Sequence, residues 1–186
     1  MTRAADPVRV LFVCTGNICR SPAAAALAES LSDGAVLATS AGTAPVTGAE
    51  VHPFTLAALQ RRGVHFAGPA GRPITRRLVE SADLVLGMTR GHRAHAVRTY
   101  PPVLRRAFTL RELSRLVARA EAPTEAGARE WALDVGRWRG LAADGDDDVM
   151  DPIRGPAQAH EEVVALLERE LRVVLAPLAR IARVRR

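Results

Sequence analysis

The chain has 186 residues, of which 48% are hydrophobic and 25% charged, and carries a net charge of +6. This excludes wholesale disorder and suits one domain. Without an apolar run of membrane-spanning or signal-peptide length, it also argues for a cytoplasmic protein with no membrane insertion. All 26 basic residues are arginine, so nucleic acid, a membrane surface and a phosphate-bearing substrate all stay open as partners.

Val8–Val13 is a β-rich apolar run that predicts a buried strand. Ser21 and Pro22 predict a helix start, with Ser21 as cap and Pro22 at the first helical position. The alanine-rich stretch continues that helix to Leu31, ahead of Gly34. Val36–Ala41 reads as a second strand and His52–Arg62 as a helix stopped by Gly63. Asp83–Met88 is a third strand, leading into a helix near Gly91–Arg98, and Arg106–Leu110 is a fourth. Glu112–Arg119 and Ala126–Trp138 read as helices, with Trp131 and Trp138 seven apart on one face. Apolar residues from Val163 to Ile181 mark a long last helix that Pro177 should kink or end. Strands alternating with helices predict an α/β fold: three layers, with about four parallel strands and helices on both faces. Ligands bind such sheets at the carboxyl ends of the strands.

Charge is distributed unevenly: residues 61–119 carry +10 and residues 120–170 carry −8. The basic segment could be a docking face for an acidic partner. With few aromatics and no nucleic-acid motif, nucleic acid is disfavoured. Asp144–Asp151 reads as an acidic surface loop.

The two cysteines, Cys14 and Cys19, lie five apart directly after the first strand. A disulfide closing so small a loop would contribute little, and there are too few nearby ligands for zinc, so neither metal nor cofactor is expected. Cys14-Thr15-Gly16-Asn17-Ile18-Cys19-Arg20-Ser21 instead has the makings of a phosphate-binding loop. A loop running into a helix N-terminus turns backbone N–H groups inward and adds the helix dipole. Gly16 admits an anion close to the backbone, and Asn17 tolerates a left-handed conformation. Arg20 offers a planar fork for two phosphate oxygens. Sulfur in such a field is a nucleophile, and Ser21 is placed to hydrogen-bond it. The chemistry expected is attack of Cys14 on phosphorus, giving a phosphocysteine that water cleaves.

This segment resembles the signature of the low-molecular-weight protein tyrosine phosphatases, read here as VCTGNICRSP. The resemblance implies a single phosphatase domain over residues 1–186, enlarged by a helical segment near 113–143. It implies a phosphorylated protein substrate, with phosphotyrosine first. It makes Asp151, before Pro152, the general acid, with Asp148 bracing the loop, and it makes Ser40 the partner of Asn17 in supporting the phosphate loop. Thioredoxin-coupled arsenate reductases share the fold but need further cysteines. Three features depart from the pattern or qualify it. Ile153 stands where an aromatic usually follows Asp-Pro. Pro73 stands where a loop-supporting histidine is usual. Ile18, where related arginine phosphatases have Thr, matches the tyrosine-directed branch. The resemblance also allows a reversible Cys14–Cys19 disulfide. The alternatives left open are an enzyme acting on another oxyanion or on phosphoarginine, and a weakly active module that binds phosphate or polyanions.

Overall fold

Runs of Val, Leu, Phe and Ala too short for helices pair as strands in the computed structural model, which describes residues 7–119, 127–140 and 145–184. Strands β1 (Val8–Cys14), β2 (Val36–Gly42), β3 (Leu84–Gly87) and β4 (Ala107–Thr109) form one parallel sheet in the order β2-β1-β3-β4. The period-2 geometry of β1 sorts its side chains between two cores. Val8, Val10, Phe12 and Cys14 face α1 (Arg20–Ser32), α5 (Leu110–Val117), α6 (Ala128–Gly136) and α7 (Ala157–Val184). Leu11 and Val13 face α3 (Arg76–Ser81) and α4 (Arg90–Thr99). Helix α2 (Pro53–Gln60) packs against α7. The expected α/β sandwich is therefore present, with the Cys14 loop at the carboxyl end of β1.

Helix α1 lies between the sheet and α7 and is buried nearly all round. Its run Ala23–Ala26 and Ala28 is what lets both neighbours approach so closely. Apolar residues at helical spacing on α7, from Val163 to Ile181, cover the outer side.

Several expectations are corrected. Ser21 is not the cap of α1; Cys19 is, with no side-chain cap bond, and the Ser21 hydroxyl is drawn inward instead. Pro177 does not end α7, which runs on to Val184. The lost backbone bond is outweighed by burial of Leu175, Leu178 and Ile181 around it. Trp131 is buried but Trp138 is 42% exposed, because α6 ends at Gly136 and a tight 3₁₀ turn (Arg137–Gly140) rotates Trp138 off that face. Helix α3, capped by Thr75, was not legible as a helix. Ala126 and Asp144, with residues 120–126 and 141–143 of the segment expected to be an enlargement, lie outside the described residues.

Much of the basic segment is occupied within the chain. Arg62 binds Glu161 at 2.5 Å and Glu168 at 2.9 Å, and Arg61 also pairs with Glu161, tying α2 to α7. Arg111 binds Asp146 at 2.6 Å, while Arg90 and Arg115 both hold Asp147. Arg61, Arg62, Arg90, Arg111 and Arg115 of the basic segment are thus paired with acids of the segment that follows it.

No helix among the described residues is long and apolar enough to cross a membrane.

Candidate active site

The loop between β1 and α1 is held from outside. Its carbonyls from Cys14 to Cys19 accept in turn from the N–H groups of Thr43, Ala44, Val46, Gly71, His52 and Ala23, at 2.8 to 3.3 Å. With the carbonyls turned outward, the amide N–H groups are left to the concave side, at the positive end of α1. Asn17 takes the one left-handed conformation in the loop, with φ 55°.

Asn17 is fully buried and its side chain is saturated. It donates to Ser21 at 3.0 Å and to Ser40 at 2.9 Å, and accepts from the Arg72 amide at 3.1 Å. Gly42, at the end of β2, is required for close approach: a Cβ there would lie 2.5 Å from the Thr15 carbonyl.

Cys14 is buried, with its sulfur 2.9 Å from the Ser21 hydroxyl and accepting from the Asn17 amide at 3.3 Å. Arg20 crosses the loop with its side chain 5% exposed. It donates to the Val149 carbonyl at 3.1 Å, to Thr15 Oγ1 at 3.4 Å and to Asp151 Oδ2 at 2.5 Å. Gly16 and Ile18 share one wall with Val46. Cys14 and Cys19 are both free thiols. Burial pushes the Cys19 thiol up to about 11, against the opposing hydrogen bond from Thr55, so Cys19 stays protonated at neutral pH.

Asp151 arrives on a loop bolted down at several points. The Val149 amide donates to the Met88 carbonyl beyond β3 at 2.8 Å, and Asp148 accepts from the Arg90 amide at 2.8 Å. Asp148 therefore braces the loop as expected. Burial would raise the Asp147 carboxyl, but Arg115 and Arg90 outweigh it and hold it below the usual carboxylate range. Asp151 itself is 42% exposed and turns one oxygen to the Ile153 amide. Ile153 and Met150 are exposed beside it.

The sequence missed His92. Its Nε2 lies 2.9 Å from Thr15 Oγ1 and its Nδ1 2.8 Å from Thr89 Oγ1. The one available signal was the spacing Thr-x-x-His at the start of α4, where Thr89 caps the helix. Burial, reinforced by the Arg20 charge, pushes His92 down from 6.5 to about 4. The unfolded chain then binds more protons between those values, so stability is full above about pH 6.5 and is lost as pH falls toward 4, by on the order of 3 kcal/mol. Urea midpoints at pH 7 and pH 4.5 should therefore differ less in His92→Gln than in the parent. An equal drop in both would refute this.

Among the described residues no His, Cys, Asp and Glu cluster is arranged to hold a metal. The arrangement has the shape of a cradle for a tetrahedral anion, with a sulfur at its base, a guanidinium at its rim and the Asp151 carboxyl group at its mouth.

Comparison with known proteins agrees with this geometry. The family model described as low molecular weight phosphotyrosine protein phosphatase matches residues 9–124. The chain is 34% identical over 166 residues to a low molecular weight protein-tyrosine-phosphatase of Streptomyces coelicolor, covering 86% of this chain and 87% of that one. It is 29% identical over 167 residues to a protein-arginine-phosphatase of Geobacillus stearothermophilus, covering 88% and 93%. The solved YwlE arginine phosphatase from Geobacillus stearothermophilus superposes with a TM-score of 0.69 at 28% identity, over 91% of each chain.

Proposed function

Because the chain belongs to the low-molecular-weight phosphotyrosine protein phosphatase family of hydrolases, we propose that it cleaves phosphotyrosine in protein substrates, with Cys14, Arg20 and Asp151 as its reacting groups. The observation that carries this is the joining of these three residues around one inward-facing loop: sulfur on Ser21 at 2.9 Å and Arg20 on Asp151 at 2.5 Å. Arg20 and the amides from Thr15 to Ser21 bind the phosphoryl oxygens, and charge developing there meets fixed donors. The Cys14 thiolate forms a bond to phosphorus as the aryl oxygen leaves with the Asp151 proton. Water then attacks the phosphocysteine, the S–P bond breaks, inorganic phosphate is released, and Asp151 recovers a proton from that water. The free thiols suit a reducing compartment, and we place the reaction in the cytoplasm.

A second reading, phosphoarginine, is favoured by the relatives named as arginine phosphatases. The walls argue for an aryl group. Ile18, Val46, Ile153 and Met150 present apolar surface at or near the loop, which an aryl ring gains more by covering than a guanidinium does. With purified protein, kcat/KM for a phosphotyrosine peptide should exceed that for a phosphoarginine peptide by at least about tenfold. Ile18→Thr should narrow the gap. A preference for phosphoarginine in the parent protein would replace the tyrosine reading.

A further inference from the structure

Behind the phosphate loop lies a second polar cluster that this chemistry does not use. His160, in the first turn of α7, is fully buried, with Nδ1 2.8 Å from the Thr55 hydroxyl. Its ring stacks on His52 at 4.4 Å with 18° between the planes, and Phe54 meets it edge-on. Thr55, buried on α2, turns its hydroxyl toward the Cys19 thiol, and the His52 amide donates to the Ile18 carbonyl at 2.8 Å. His160 Nε2 is buried without a hydrogen-bond partner among the described residues, and the Pro152 carbonyl is close enough to act on the ring. The cluster therefore joins the second half of the phosphate loop to α2, and α2 to the helix that follows Asp151-Pro152.

A buried imidazole costs desolvation that a leucine of similar volume would avoid, and its polar contacts are with the Thr55 hydroxyl and the Pro152 carbonyl. Filling space does not account for it. We propose that His160 is a positioning residue for Asp151: gripping Thr55 and stacked on His52, it fixes the start of α7, and with it the Asp151-Pro152 peptide, against the phosphate loop. This rests on Asp151 being the general acid.

A general acid matters when the leaving group is poor and little when it is good, so leaving-group dependence separates positioning from mere structural support. Phenyl phosphate and 2,4-dinitrophenyl phosphate would be compared in full-length His160→Leu, His160→Asn, Thr55→Val, Asp151→Asn and the double variant Asp151→Asn/His160→Leu. His160→Leu should lower kcat/KM for phenyl phosphate roughly 10- to 100-fold, the scale of a misplaced catalytic group, and leave the dinitrophenyl ester nearly unchanged. Thr55→Val, which removes the hydroxyl alone, should show the same pattern. His160→Asn, whose amide still reaches Thr55, should recover most of the loss. The double variant should be no slower than Asp151→Asn. Inhibition by inorganic phosphate should be unchanged in His160→Leu. Equal slowing of both esters by His160→Leu and Thr55→Val, or a further loss in the double variant, overturns the proposal and leaves the acid assignment standing. Equal slowing of both esters by Asp151→Asn overturns the acid assignment, and the proposal with it.

Discussion

Cys14→Ser should turn over an aryl phosphate on the order of 10⁴-fold or more slowly, the scale of removing a covalent nucleophile, while binding inorganic phosphate nearly as well as the parent. The sulfur is buried at the base of the loop and is hydrogen-bonded with the Ser21 hydroxyl and the Asn17 amide. A serine oxygen can accept from the same amide and bond the same hydroxyl, so the loop keeps its shape. A serine hydroxyl is a far weaker nucleophile than a cysteine sulfur, so the covalent step is lost. Steady-state rates and calorimetric titration with inorganic phosphate check the two halves separately. Turnover within tenfold of the parent would mean that sulfur is not the nucleophile. Loss of both turnover and phosphate binding would mean that the substitution collapsed the cradle.

Asp151→Asn should lower kcat/KM for phenyl phosphate about 10²–10⁴-fold, the usual contribution of a general acid, with a far smaller effect on kcat/KM for an ester whose leaving group needs no proton. Asn keeps one acceptor oxygen, enough for either the Arg20 contact made by Oδ2 or the Ile153 amide contact made by Oδ1. The loop itself is held by Asp147, Asp148 and Val149 rather than by Asp151, so its position should survive. The substitution also removes a negative charge that competes with the substrate phosphate for Arg20. KM for the phosphate ester should therefore fall or hold steady while kcat drops. If kcat/KM is retained, the acid must be sought among the neighbouring carboxylates. Asp147 is the weaker candidate, since it is buried between two arginines.

The sequence revealed the site where covalent spacing does the work. Five residues between Cys14 and Arg20, followed by a helix, leave few ways to place sulfur, amides and guanidinium other than around one centre. The strands were legible because parallel, doubly covered strands read as continuous apolar runs. What was not legible came from contacts between distant segments. His92 reaches Thr15 across 77 positions and His160 reaches Thr55 across 105, and no local pattern announces either. Ser21 read as a cap because its local propensity is that of a cap, but its hydroxyl is claimed by Cys14 and Asn17. Pro177 failed as a stop because the helix around it is packed rather than isolated. The segment charges were counted correctly, but their mutual pairing depends on which helices meet.

The outward carbonyls of the phosphate loop have a consequence for the order in which the protein acquires its activity. Five of the six donors come from residues 43 to 52 and from Gly71, and one, Ala23, from α1 itself. An isolated β1–α1 unit therefore contains the whole signature but lacks five of the six bonds that shape it. The chain must travel out to β2 and return as far as Gly71 before those bonds exist. Those long-range closures belong to the slow part of folding for a parallel sheet. Catalytic competence should thus be a late event in folding, gained with global assembly rather than inherited from a preformed motif. A phosphate held by the completed loop would then be a ligand of the native state alone and would draw the folding equilibrium toward it.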